Sequence, residues 1–214
     1  MSTLIDCNMN RNEIRYHIRT LLSAGHDTTA YLGSYMVYLL SHNQDIQDKV
    51  RYEINNIING DQISIDDISK LKYCKNVIHE VLRLYTIIPF VSRTCTKNYK
   101  IENSNLIIPK DTDVLIPLTI MNRSGKYWEN PNQFNPDRFD YINSSGLLKS
   151  GYFPFGYGSR TCIGNNLAIN EMIIIMVKLI KNFRLIPDIK FKPNIIAGIS
   201  LISDNGILVY LNKI

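Results

Sequence analysis

The chain has 214 residues, of which 45% are hydrophobic and 20% are charged, and its formal net charge is +5. This length and composition are typical of a globular protein with one or two small cores. Lysine and arginine are spread along the sequence instead of forming a basic stripe, and no nucleic-acid-binding module is recognisable, so nucleic acid is not an expected partner.

The cysteines and the apolar runs exclude further classes of protein. The four cysteines include no Cys-x-x-Cys pair, which disfavours a zinc site or a disulfide framework and fits a reducing compartment. Residues 1–10 lack a basic segment followed by an apolar one, so no signal peptide is expected. The most apolar stretch, residues 30–40, is shorter than the ~20 residues of a membrane helix. We therefore expect a cytoplasmic chain without a membrane segment.

The first part of the chain is predicted to be helical. Apolar residues recur at steps of three and four over residues 14–40, which predicts one long helix. A second, amphipathic helix is expected over residues 44–58. A short helix over residues 67–70 and another over residues 76–85 follow. Pro89 then ends the helical region because it restricts the residue before it.

The second part of the chain mixes short strands with one more helix. Residues 92–118 contain β-like runs broken by turn residues, which predict hairpins. Residues 121–156 are irregular, and a loop longer than ~15 residues usually has a function. Residues 166–181 are apolar on nearly every side, which predicts a fully buried helix. A turn at residues 203–206 is expected to open a terminal hairpin into residues 207–211. The predicted fold class is mainly α with small β-sheets (α+β).

A glycine-rich loop places one cysteine just before this last helix. Residues 155–164 read FGYGSRTCIG. Backbone N–H groups and the positive dipole at a helix start favour an anionic sulfur, which is the form that binds iron. Gly158 and Gly164 lack a Cβ, so the backbone can approach a flat macrocycle closely. Arg160 can pair with a carboxylate. For Cys162 taken alone, a buried structural role is the commoner alternative.

This loop resembles the cysteine loop of the cytochrome P-450 superfamily, Phe-x-x-Gly-x-Arg-x-Cys-x-Gly, at every fixed position. The resemblance implies that Cys162 is the proximal ligand to the iron of haem b and that Phe155 packs beside the sulfur. It also implies that Arg160 lies near a haem propionate and that Gly158 and Gly164 border the cofactor. The cofactor expected from the sequence is therefore haem b.

Two other positions bear on the haem propionates. Arg93, which follows Pro89, matches a family position that commonly binds the second propionate, and a solvated strand residue is the alternative interpretation. Asn122 stands where many relatives have a histidine. This departure weakens the expectation of a propionate contact there.

Residues 24–29 of the long helix, AGHDTT, resemble the oxygen-activation segment of the family. The resemblance implies that Gly25 leaves room for dioxygen while Asp27 and Thr28 deliver protons to it. The alternative is that the Thr28 hydroxyl bonds back to the carbonyl of Ala24, a common way to satisfy such a hydroxyl. That alternative is favoured for Thr28 by itself, and the cysteine loop shifts the preference to the catalytic interpretation.

Three charged residues are assigned to the fold and not to chemistry. Glu80 and Arg83 lie at i and i+3 and can pair on one helix face, although such pairs usually lie on the surface and contribute little. In the family this pair is buried and is completed by a second arginine. Residues 136–139, PDRF, resemble the segment that supplies it, with Asp137 where Glu is usual. The expected third member is therefore Arg138.

The resemblance covers nearly the whole chain and begins at the long helix. It predicts one partial domain over residues 1–214, the C-terminal half of the haem-thiolate monooxygenase fold, with the N-terminal half absent. It implies that one oxygen atom from O2 enters a hydrophobic small-molecule substrate, with electrons from a reductase. The alternatives are an inactive haem-binding protein and a remnant that does not fold alone.

Two partners besides the substrate are expected. A complementing polypeptide would supply the other half of the fold. An acidic reductase would be attracted by lysines that flank the cysteine loop and its helix, although solvated lysines are the simpler interpretation. These lysines are Lys149, Lys178, Lys181, Lys190 and Lys192.

Overall fold

The computed structural model describes residues 9–60, 62–140 and 151–214. The helices of these ranges are α1 (Arg11–His42), α2 (Gln44–Ile57), α3 (Ile65–Lys70), α4 (Lys72–Leu84), α5 (Leu118–Asn122) and α6 (Asn165–Asn182), with the 3-10 helices η1 (Pro136–Phe139) and η2 (Gly158–Arg160). The strands are β1 (Val91–Thr94), β2 (Tyr99–Lys100), β3 (Ile107–Ile108), β4 (Asp113–Ile116), β5 (Phe183–Pro187), β6 (Ile195–Ala197), β7 (Leu201–Ser203) and β8 (Val209–Lys213). Mainly helical structure with small sheets confirms the α+β prediction.

The strands form two-stranded antiparallel sheets. β1 pairs with β4, and β2 with β3, so that the second pair lies in the connection between the strands of the first. β5 pairs with β8, and β6 with β7, in the same nested arrangement. The hairpins predicted over residues 92–118 are therefore present.

The long helix α1 begins at a capping box. The Asn10 side chain accepts hydrogen bonds from the backbone N–H groups of Asn12 and Glu13, and the Glu13 carboxylate accepts one from the Asn10 N–H at 2.8 Å. This arrangement satisfies N–H groups that have no partner inside the helix. The helix predicted over residues 14–40 is thus confirmed and extends slightly beyond both expected ends.

The apolar stripe of α1 is buried only in its C-terminal half. Leu32, Tyr35 and Met36 are nearly inaccessible to solvent. Leu21 and Leu22, which lie earlier in the same stripe, are 49% and 67% exposed. The apolar periodicity of a sequence therefore predicts which face of a helix can be buried. The neighbouring elements decide how much of that face is buried.

Two compact units make up the chain. The first comprises Met1–Leu71, Ile163–Phe191 and Ile207–Ile214, and the second comprises Lys72–Cys162 and Lys192–Gly206. In the first unit, α1 and α2 pack against α6, and α1 and α6 also pack against β5. The centre of this core holds completely buried side chains, among them Val50, Ile54, Met172, Met176 and Ile180.

The prediction that residues 166–181 form a fully buried helix is wrong about the burial. The helix is present as α6, and Met172, Met176 and Ile180 lie on its buried face. However, Leu167 is 71% exposed and Ile174 is 40% exposed. Only one face of α6 meets α1 and α2, so its apolar composition exceeds what these neighbours cover.

The predicted terminal hairpin is also wrong about its pairing. The turn at residues 203–206 is present, with the Gly206 N–H bonded to the Ser203 carbonyl at 3.2 Å. However, β8 pairs with β5 over five residue pairs, and β7 pairs with β6. Local turn residues predict where the chain changes direction, whereas strand pairing depends on residues far apart in sequence.

Two glutamine side chains of α2 form hydrogen bonds to the backbone of β5 in the first unit. The Gln47 amide group donates to the carbonyls of Leu40 and Leu185, each at 3.0 Å, and its oxygen accepts from the Leu185 N–H at 2.9 Å. The Gln44 amide group donates to the same Leu185 carbonyl at 2.8 Å. Gln47 is completely buried. The side chain of Gln47 therefore satisfies backbone groups of β5 that have no strand on that side.

The second unit is built on α4, which packs against η1 and α5. The helix predicted over residues 76–85 is present and begins one turn earlier than expected. Its buried face includes Cys74, Val77 and Val81, all at 0% exposure. Of the segment over residues 121–156, predicted to be irregular, residues 141–150 lie outside the described ranges. Residues 121–122 end α5, and the rest consists of turns and irregular structure with η1.

An aromatic cluster completes the core of this unit. Trp128, Phe139 and Tyr152 are buried together, with the Phe139 and Tyr152 rings 5.3 Å apart. His79 joins the cluster, because its Nδ1 lies 3.1 Å from the Tyr152 hydroxyl, which donates to the His79 carbonyl at 2.9 Å. Burial lowers the pKa of His79 to about 4, and the nearby Lys75 adds to this effect.

His79 is expected to make stability depend on pH. Below its ordinary pKa of 6.5 the unfolded chain binds a proton that the folded chain does not bind until the pH approaches 4. The free energy of unfolding should therefore fall by about 2 kcal/mol between about pH 7.5 and about pH 5. Urea unfolding at the two pH values measures this change. His79→Gln should remove most of it, whereas His17→Gln, on the exposed part of α1, should not. Equal pH dependence in all three proteins would contradict the prediction.

Candidate functional site

Backbone hydrogen bonds close the cysteine loop, residues 155–162. The Cys162 N–H donates to the Phe155 carbonyl at 2.8 Å, and the Thr161 N–H donates to the Gly158 carbonyl at 3.1 Å. The 3-10 helix η2 forms the middle of the loop. The Cys162 side chain is exposed to solvent, unlike the buried Cys74. The loop therefore presents its sulfur at the surface of the second unit.

Glycines shape this loop. Gly156 and Gly158 both have a φ of +76°, in the left-handed region that favours glycine. No heavy atom lies within 4 Å of the position that a Cβ would take at Gly158, so the surface there is open. Gly164, the N-cap residue of α6, has a φ of −91°. Its backbone conformation is therefore one that any residue adopts.

The two arginines assigned to haem propionates are both exposed. Arg160 ends η2 in the cysteine loop, and Arg93 lies on β1, paired with Val114 of β4. One amino group of Arg93 donates to the Ser92 carbonyl at 2.7 Å. Because a guanidinium has five N–H donors, most of those on Arg93 stay available for a carboxylate. Phe155 is half-buried, and its carbonyl accepts the hydrogen bond from Cys162.

The segment assigned to oxygen activation lies on α1, in the first unit. The Thr28 hydroxyl donates to the Ala24 carbonyl at 2.7 Å, which is the back-bonding alternative considered for this residue. Asp27 is exposed, and its carboxylate lies 2.8 Å from His26 Nδ1. A Cβ on Gly25 would have no heavy atom within 4 Å, so the helix surface is open there.

Glu80 and Arg83 form a completely buried ion pair. The Arg83 Nε and Nη2 atoms donate to the two oxygens of Glu80 at 2.7 and 2.8 Å. The remaining three N–H groups donate to the carbonyls of Asn122, Pro131 and Gln133 at 2.7 to 3.2 Å. All five donors of the guanidinium are therefore used.

Arg138 is the third member of this network. Its Nε donates to Glu80 Oε1 at 3.0 Å, and the Asn135 N–H donates to the same oxygen at 2.9 Å. The Trp128 ring lies beside both guanidinium groups, with its centroid 5.1 Å from Cζ of Arg83 and 5.9 Å from Cζ of Arg138. No motif in the sequence assigns a role to Trp128. The only indication available from the sequence was that a large aromatic side chain is usually buried in a hydrophobic core.

Asn122 is buried and belongs to the interior of the second unit. Its side-chain amino group donates to the Thr86 hydroxyl at 2.9 Å, and its carbonyl accepts from Arg83. These hydrogen bonds give Asn122 a structural role in the second unit. They also show that the position where many relatives have histidine points inward in this chain.

Comparison with known proteins identifies the family. The family model named Cytochrome P-450 matches residues 3–209. The chain belongs to this family. It is 37% identical to cytochrome P-450 6B7 of Helicoverpa armigera over 166 residues, which are 77% of this chain and 33% of the relative. It is 35% identical to cytochrome P-450 3A13 of Mus musculus over 165 residues, which are 77% of this chain and 32% of the relative.

A third relative, with lower sequence identity, matches a similar share of the chain. This cytochrome P-450 chain is 30% identical to cytochrome P-450 4g15 of Drosophila melanogaster over 179 residues, which are 83% of this chain and 31% of the relative. The chain therefore spans about a third of the length of these curated relatives. Along the described ranges, each helix is too short or too polar to cross a bilayer.

The cysteine loop of this cytochrome P-450 chain fits a haem. The sulfur of Cys162 is exposed, and the open surface at Gly158 allows a flat ring to approach. Among the described residues, no group of three or more His, Cys, Asp or Glu side chains could hold a metal ion. A single sulfur ligand leaves the other coordination positions of an iron to a macrocycle. The chemistry of this donor set therefore suits haem better than a bare ion.

Proposed function

We propose that this chain is the haem-ligating part of a haem-thiolate monooxygenase, in which Cys162 gives its sulfur to the iron of haem b. The observation that carries the proposal is the exposed sulfur at the end of a closed, glycine-bounded loop. A cysteine with a structural role is usually buried, as Cys74 is here. Membership of the family, together with the open surface at Gly158, supports a ligand role for Cys162.

The residues around the sulfur would bind and orient the cofactor. Bound haem supplies the reductive activation of dioxygen and the insertion of one oxygen atom into a C–H bond. Arg160 and Arg93 would each pair with a propionate, since a guanidinium matches a carboxylate with two parallel hydrogen bonds. Phe155 fixes the backbone of Cys162 through the bond to its N–H. Gly158 and Gly164 would border the ring because they have no side chain.

Asp27 and Thr28 would move protons on α1. Asp27 is exposed and accepts a hydrogen bond from His26, so it can exchange protons with solvent. The Thr28 oxygen can still accept a hydrogen bond, and the hydroxyl would release its bond to the Ala24 carbonyl when it passes its own proton on. Gly25 leaves open surface beside these groups. Proton delivery in this order, from solvent to carboxyl to hydroxyl, is the role that we propose for the segment.

The proposed partners are a hydrophobic small-molecule substrate, an acidic reductase and a complementing polypeptide. Lys178, Lys190 and Lys192 are exposed and suit an acidic surface. Lys181 donates to the Gly60 carbonyl, and Lys149 lies outside the described residues. The exposed apolar stripe over the first half of α1 supports a complementing polypeptide, which would cover this stripe.

Reconstitution with haem tests the proposal. The full chain is mixed with haem, reduced and exposed to carbon monoxide, and the Soret band is recorded. We expect a strongly red-shifted band, which reports a thiolate ligand. Cys162→Ala should abolish this band, and Cys95→Ala, which removes another cysteine of the second unit, should retain it. A red-shifted band that survives in Cys162→Ala, or a chain that takes up no haem, would contradict the proposal.

A further inference from the structure

We propose that Thr161 is a positioning residue, which holds the backbone of Cys162 so that the sulfur points toward the haem. This inference rests on the proposed function. The Thr161 hydroxyl donates to the Gly158 carbonyl at 2.8 Å, and the Thr161 N–H donates to the same carbonyl at 3.1 Å. One residue thus makes two hydrogen bonds to one acceptor. The cysteine-loop pattern leaves this position unspecified, so the resemblance assigns it no role.

The two hydrogen bonds from Thr161 restrain Gly158, the flexible residue of the loop, and they lie directly before Cys162 in the chain. Gly158 has a φ of +76°, and a glycine has more conformational freedom than any other residue, so its carbonyl needs an outside restraint. Thr161 supplies this restraint from both its backbone and its side chain. The following N–H, that of Cys162, is held by Phe155 at 2.8 Å. Two consecutive residues are therefore tied to two separate points of the loop, which fixes the direction of the Cys162 Cα–Cβ bond.

Thr161 differs from the other polar side chains of the loop. Tyr157, Ser159 and Arg160 are exposed, and within the described loop none of them donates a hydrogen bond to the backbone. Thr161 is less exposed than these three residues, and its hydroxyl donates to the Gly158 carbonyl at 2.8 Å. The geometry therefore singles out the Thr161 hydroxyl as the side-chain restraint on this loop.

Hydrogen exchange in the haem-free chain tests the restraint without any use of the cofactor. Thr161→Val removes the hydroxyl and keeps the shape, while Thr161→Ser keeps the hydroxyl. We expect the Cys162 amide to exchange about fivefold faster in Thr161→Val, the change that corresponds to the loss of one ordinary hydrogen bond. Thr161→Ser should exchange at the wild-type rate. Unchanged exchange in Thr161→Val, or equal acceleration in both variants, would overturn the inference.

The haem-loaded chain tests the consequence for the sulfur. In the reduced carbon monoxide complex, we expect Thr161→Val and Thr161→Ala to lose part of the red-shifted band to a band without thiolate character, and Thr161→Ser to keep the wild-type spectrum. Thr20→Val is the control, because it removes a similar bond, from the Thr20 hydroxyl to the Tyr16 carbonyl, on α1. A full red-shifted band in both hydroxyl-free variants would overturn the positioning role. Absence of haem uptake by the wild-type chain would instead refute the proposed function and leave the exchange result standing.

Discussion

Arg83→Lys is expected to lower the free energy of unfolding by about 3–5 kcal/mol, because lysine cannot reproduce the completely buried contacts of the guanidinium with both oxygens of Glu80. Lysine keeps the charge but has three donors in place of five and cannot form the paired contact with both oxygens of Glu80. The carbonyls of Asn122, Pro131 and Gln133 would also lose donors. Urea unfolding followed by circular dichroism measures the change.

An exposed ion pair provides the control for this variant. Arg184 donates to Asp48 at 3.0 Å, with the two side chains 38% and 52% exposed. Asp48→Asn removes the charge from that pair and should cost less than about 1 kcal/mol, since solvent screens it. If Arg83→Lys and Asp48→Asn lowered the free energy of unfolding by similar amounts, the burial of the Glu80 network would contribute nothing to stability, which would contradict the prediction.

Gln47→Met should lower the free energy of unfolding by about 3 kcal/mol, because it leaves buried backbone groups without partners. Methionine has a similar size but cannot donate to Leu40 and Leu185 or accept from the Leu185 N–H. The loss would fall on the contact between α2 and β5. Thermal and urea unfolding measure its size, and amide exchange at Leu185 locates it.

Gln44→Met is the matched control on the same helix. Gln44 also donates to the Leu185 carbonyl, but its side chain is half-buried and water can replace part of the lost bonding. We expect a cost of about 1 kcal/mol and little change in exchange at Leu185. A larger loss in Gln44→Met than in Gln47→Met would show that burial does not set the value of these bonds.

Local patterns in the sequence predicted most of the secondary structure. The apolar repeat of α1 and the turn residues between the strands act over a few neighbouring positions, which is why α1, α4 and the short strands between residues 91 and 116 were expected near their observed bounds. The same reasoning failed for β8, which pairs with β5 and not with β7. Turn residues predict where the chain reverses direction, but the pairing of a strand depends on other strands that are distant in sequence.

The candidate site was only partly accessible to the same reasoning. The pattern of residues 155–164 named Cys162, and the family resemblance named Arg138 as a partner of Glu80. It did not reveal Trp128 beside the two guanidinium groups or the two bonds from Thr161 to Gly158. Such contacts depend on backbone geometry and on side-chain rotamers, neither of which has a periodic signal.

The sequence by itself determined which reactive groups the chain carries and how they are spaced: a cysteine after a glycine-rich turn, a hydroxyl and a carboxyl in one helix, and opposite charges at i and i+3. Those features depend on residue identity and short spacing. Only the tertiary structure decided which of these groups are exposed and which are buried. Cys162 is accessible, Arg83 is completely enclosed, and half of the α1 stripe faces solvent. Burial depends on which elements pack together, and that is a property of the whole fold and not of any single segment.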